Sequence, residues 1–130
     1  MGTVNVLVVV DALGAASSGS LCNNVYMIDS HKYMGSWNEG QCELTTACND
    51  SDIIRWRIAS VDPGTDIKIS SFSGRMTDEK ICVPQEQGLS GDKHWDGRVE
   101  ARGTTGQVQY SLIVKINDKE MTFDPFLNIK

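Results

Sequence analysis

Gln107-Val108-Gln109-Tyr110-Ser111-Leu112-Ile113-Val114-Lys115-Ile116 carries an apolar side chain at every second position, from Val108 through Tyr110, Leu112 and Val114 to Ile116. Its other positions are polar except Ile113. A repeat of two is the strand repeat, since successive side chains leave a strand on opposite faces. Ile54, Trp56 and Ile58 alternate with Arg55 and Arg57 in the same way, which makes Trp56 a core residue. Arg98, Glu100 and Arg102 likewise alternate with Val99, Ala101 and Gly103. One wet and one dry face per strand is the pattern of antiparallel sheets.

Turn chemistry falls between these runs. Asn49-Asp50-Ser51-Asp52 separates Gln41–Cys48 from Ile53–Ser60 and predicts a hairpin. Asp62-Pro63-Gly64-Thr65 has proline and glycine where a type II turn needs them. Asn117-Asp118-Lys119 reverses the chain, and Asp124-Pro125 breaks the ladder before a last short strand at 126–130, since proline has no N–H to give. Gly14–Asn23 and Pro84–Asp96 are irregular, each with room for a short helical turn. The expectation is all-β: a single-domain, antiparallel, jelly-roll-like β-sandwich over residues 1–130, with about eight short strands and little helix.

Thr3–Val10 is the exception to alternation, with five valines and a leucine in eight residues. It reads as a strand buried on both faces and lacks the charged start and cleavage site of a secretory signal. Synthesis in the cytoplasm is therefore expected, with storage in inclusions or release by another route both compatible. The 130 residues suffice for one core without staples, and 40% hydrophobic with 22% charged residues is an ordinary globular composition. A net charge of −5 disfavours nucleic acid, which needs a basic patch. No apolar run approaches the roughly 20 residues of a spanning helix. Cys22, Cys42, Cys48 and Cys82 read as reduced, mostly buried thiols; release from the cell would permit one or two bridges.

The residues offer four kinds of candidate site. Gly14 and Gly19 have the spacing of a phosphate loop, but Ser20-Leu21-Cys22-Asn23 supplies neither the lysine nor the helix, so Ala12–Ser20 reads as a loop of small residues. Ser90 lacks the glycine frame of a nucleophile elbow, and nothing places His31 or His94 beside a nucleophile. An enzyme is not expected. Asp50 and Asp52 offer the hard oxygens calcium takes, without EF-hand spacing; such Asx-rich tetrads are more often plain turns, so no cofactor beyond that candidate calcium is expected. Trp37-Asn38-Glu39 and His94-Trp95-Asp96 each set an indole beside amides or acids in glycine-flanked, loop-like segments. An indole stacks on the apolar face of a sugar while its neighbours bond the hydroxyls, although tryptophan under a loop is more often a core plug.

Several blocks together carry a family resemblance. They are Val6–Asp11, Asn24–Asp29, Gly35-Ser36-Trp37 with Glu39-Gly40, and Asp62–Asp66. Gln87-Gly88-Leu89, Trp95 with Gly97–Glu100, and Met121–Leu127 complete the set. In order and spacing the chain resembles the bacterial inclusion-body proteins of the PixA/AidA-like family over nearly its whole length. The resemblance implies a small protein abundant in stationary or quorum-sensing-regulated growth, stored as inclusions or linked to interaction with a host. It supplies no catalytic residues. Two functions are expected from different classes: a non-catalytic, lectin-like module for glycans or small polar ligands, or a self-assembling inclusion or storage protein. A homodimer or higher assembly fits both.

Overall fold

A computed structural model describes residues 2–31, 34–88 and 93–130. The fold is all-β. Eleven strands are present among the described residues, rather than eight, because the 107–116 run is divided in two and Ile67–Ser73 and Gln85–Gln87 add strands that carry no clear alternation.

Strand β1, Thr3–Val10, is interior to a five-stranded sheet. It pairs antiparallel with β2, Val25–Asp29, and parallel with β4, Ile53–Ser60, which pairs in turn with β7, His94–Arg98. The short β6, Gln85–Gln87, closes the far edge. β1 alternates too: Val4, Val6, Val8 and Val10 are buried, whereas Leu7 and Val9 are half-buried on the other face.

The hairpin expected from Gln41–Cys48 and Ile53–Ser60 does not form. Both edges of β4 are taken by β1 and β7, and β3, Thr45–Cys48, pairs parallel with β11, Phe126–Ile129, in a different sheet. Asn49–Asp52 therefore links two sheets. Two parallel pairings replace the purely antiparallel pattern, which short-range turn signals cannot reveal.

The 107–116 run keeps its alternation, with its five alternating apolar positions buried and Ile113 half-buried, but it bends between sheets at Tyr110. Before the bend, β8, Gly106–Gln109, joins β11. After it, β9, Ser111–Ile116, pairs with β5, Ile67–Ser73, and β10, Lys119–Phe123. Asp124-Pro125 cuts the partner strand at the same level, and Tyr110 N–H donates to Pro125 O at 3.1 Å. Strands that change sheets make the corners of such folds. Tyr110 and Trp56 meet at this corner, fully buried, where Trp56 Nε1–H donates to Tyr110 Oη at 3.1 Å. Burial pushes the Tyr110 phenol above its ordinary value, although the indole bond works against that shift.

Two local expectations change. A seven-residue helix, α1, occupies Ala12–Ser18 in place of the small-residue loop. Asp11 ends β1 because its carboxylate accepts from Gly14 N–H at 3.1 Å and caps α1, and Gly19 closes it with φ 75°. The Asp62–Thr65 turn is closed by Asp62, whose carboxylate accepts from Gly64 N–H at 3.2 Å and from Thr65 Oγ1. Gly64 is not among the residues with positive φ, so the turn is not type II. A second, four-residue helix, α2, spans Arg75–Asp78.

Candidate functional site

Trp37 lies in the segment joining β2 to β3. Its N–H and C=O bond Thr45 at 3.1 and 3.0 Å, and its indole is 45% exposed. Asn38 takes the left-handed φ of 62° that its short amide tolerates, and its Nδ2 donates to Glu43 O at 3.4 Å. Glu39 is exposed beside it. Gly40 N–H then donates to Met27 O at 2.6 Å, so this segment occupies the free edge of β2 at that point.

The other half of the expected ligand site is not a loop. His94, Trp95 and Asp96 lie on β7, so the strand repeat sends Trp95 to one face and its two neighbours to the other. Trp95 pairs with Trp56, points into the sandwich and packs on Phe72 at 5.4 Å between ring centres. Asp96 faces outward opposite Arg55, which grips it with two bonds of 2.8 and 2.9 Å; His94 Nε2 is 3.8 Å away. The Arg55 bond is the chief reason the Asp96 carboxyl lies below its ordinary range; burial opposes it, and the charges of Arg55, His94 and Arg57 add to the lowering. An indole and a carboxylate adjacent in sequence therefore do not share one ligand here. The two tryptophan segments also stay apart, one beside edge strand β2 and the other on β7 next to the opposite edge.

Asp50 and Asp52 act as turn residues. Asp52 is buried, its two oxygens accepting from Gly2 N–H at 3.0 Å and Asn49 N–H at 2.8 Å, and Asp50 accepts from Ala101 N–H at 2.8 Å. Among the described residues no third His, Cys, Asp or Glu joins them. His31 places Nδ1 2.7 Å from Ala47 O, and Ser90 lies outside the described residues.

The cysteines divide. Cys22 and Cys42 form a disulfide, with Cα atoms 5.2 Å apart, joining the 3-10 turn Cys22–Asn24 to the segment before β3. The expectation of four reduced thiols is corrected for this pair, whose proximity depends on long-range packing. Cys48 and Cys82 are free and buried. Burial first, and nearby negative groups second, push both thiols up to about 12, far from nucleophilic character.

With that geometry, three comparisons bear on kinship. A family model described as a domain of unknown function, DUF8788, matches residues 2–122. The chain belongs to this family. No curated protein sequence matches it. Among solved structures the DUF8788 chain is similar to the crystal structure of an inclusion body protein, PixA, from Burkholderia cenocepacia. The TM-score is 0.71 at 12% identity, covering 98% of this chain and 93% of that one. At that identity the likeness is one of fold, and the PixA-like fold expected from the sequence blocks is present.

Two surface features remain. The outer face of the five-stranded sheet is divided. On β1 and β2 the register pairs Leu7 with Ile28 and Val9 with Tyr26, leaving Tyr26 50% and Ile28 43% exposed; on β4 and β7 the same face carries Arg55, Arg57 and Asp96. Inside the sandwich mouth, a cleft of about 530 Å³ opens between β4, β5, β6 and β7. Neither is legible in the sequence, because both depend on register between strands far apart along the chain. No helix among the described residues is long and apolar enough to cross a membrane.

Proposed function

We propose that this is a non-catalytic, self-assembling protein of the inclusion or storage kind, accumulating in the cell that makes it. The observation that carries the reading is the contiguous apolar half-face of Leu7, Val9, Tyr26 and Ile28. Exposed apolar patches of this kind mark association surfaces, and a second copy is the partner a protein meets most often at high abundance. The printed name of the PixA neighbour supports the same reading. β1 is not an open edge, so copies meet through the face of the sheet rather than by adding strands to β1.

Sedimentation velocity at rising concentration tests this. The wild-type chain should associate, and Tyr26→Lys with Ile28→Lys should remain monomeric while keeping its circular dichroism spectrum. A wild-type chain that stays monomeric at high concentration overturns the reading. Glycan recognition is the second reading and rests on the exposed Trp37 indole beside Asn38 and Glu39. A glycan array with and without calcium tests it, and no binding to any sugar removes it.

A further inference from the structure

We propose that the cleft between β4, β5, β6 and β7 binds a small organic cation, an ammonium group carried on a short apolar body. The inference is independent of self-assembly, which uses the opposite face of the same sheet.

Among the described residues, β4 runs on past its pairing with β7 and forms one wall of the cleft. That pairing ends at Trp56 opposite Trp95, and β4 continues to Ser60. β5 enters beneath this stretch, and Ile58, Ile67 and Ile69 line the space with the Trp95 indole. Phe72 packs on Trp95 and steadies the ring. About 530 Å³ is enough for a small ligand with a buried apolar body.

The polar group that selects charge is Glu86. It stands opposite Trp95 in the β6–β7 register, so its carboxylate leaves the sheet on the same face as the indole. An aromatic face and a carboxylate converging on one space suit an ammonium group, which gains from the ring quadrupole and the opposite charge together. Lys93 Nζ already lies 3.8 Å from Glu86 Oε1, with both side chains about half exposed. Such a pair is worth little. It shows that a cation is accommodated there, and the ligand ammonium would take over the place of the lysine. Asp66 and Lys68 bring one charge of each sign from the β5 side, and His94, which also borders the cleft, has its Nε2 3.8 Å from the Asp96 carboxylate, so these groups do not reverse the preference. The net charge of −5 favours cations at long range.

The test uses phenethylamine and its neutral counterpart phenethyl alcohol at neutral pH. Binding is followed by calorimetry and by the Trp95 indole N–H signal in a ¹H–¹⁵N spectrum. The amine should shift that signal and bind at least about tenfold more tightly than the alcohol. Glu86→Gln should lose about tenfold in amine affinity, and Lys93→Gln should gain a few-fold by removing the competing cation. Both residues are on the surface, so the fold should be kept and is checked by the unperturbed core resonances. Equal binding of amine and alcohol, an unmoved Trp95 signal, or an unchanged affinity in Glu86→Gln overturns the proposal.

Discussion

Tyr110→Phe removes one oxygen from the corner where the 106–116 segment passes between sheets. The ring keeps its packing against Trp56, at 5.7 Å between centres, and Phe72, at 6.1 Å. The loss is therefore confined to the hydroxyl, which accepts the Trp56 indole proton at 3.1 Å with both side chains fully buried. A buried hydrogen bond is worth about 1 kcal/mol net, and an indole N–H left buried without an acceptor costs about 1–3 kcal/mol. The variant should be less stable by about 2 kcal/mol. For a chain of this length that is a fall of roughly 6–10 °C in Tm. Urea unfolding followed by tryptophan fluorescence gives the free energy, and an unchanged slope shows that the unfolded state is not altered. A double-mutant cycle with Trp56→Phe should return a coupling of about 1 kcal/mol. A Tyr110→Phe variant within 0.5 kcal/mol of wild type, or a coupling near zero, would refute the view that this bond secures the corner.

Two further outcomes follow from the electrostatics and the sulfur chemistry. Asp96 is held below its ordinary range by Arg55, so its contribution is complete above the unfolded value of about 3.9 and is lost as pH falls through the lower folded value. Asp96→Asn should cost about 1 kcal/mol at pH 7, and the difference from wild type should close toward pH 2; a gap that does not change across thermal melts from pH 7 to pH 2 counts against the Arg55 bond. Cys48 and Cys82 should resist iodoacetamide in the native protein at pH 8, since burial holds both thiols up to about 12, and mass spectrometry reads the labelling. The Cys22–Cys42 bridge spans 20 residues, so Cys22→Ser should cost about 3 kcal/mol; a loss below 1 kcal/mol speaks against the bridge.

Residues of the expected ligand site show where local reading stops. Trp56 was legible as core because its alternation with Arg55 and Arg57 is a property of a single strand. Trp95 sits among glycine and polar neighbours that look like a loop, and only pairing with β4 makes it a strand. Once it is a strand, the repeat of two separates Trp95 from Asp96. Asp11 is a second such case. The helix it caps is seven residues of mostly small side chains and carries no amphipathic signal, so the cap is not legible from the sequence.

The sequence by itself determined the strand repeat, the buried alternation of 108–116, most of the turn positions and the blocks that resemble the inclusion-body proteins. Each of these follows from side-chain size, polarity or backbone freedom within a few residues. Tertiary structure alone decided the parallel pairing of β1 with β4, the Cys22–Cys42 bridge, the divided outer face and the cleft beside Glu86. Those depend on which distant strands become neighbours and in what register, and a shift of one residue would send every one of these side chains to the other face.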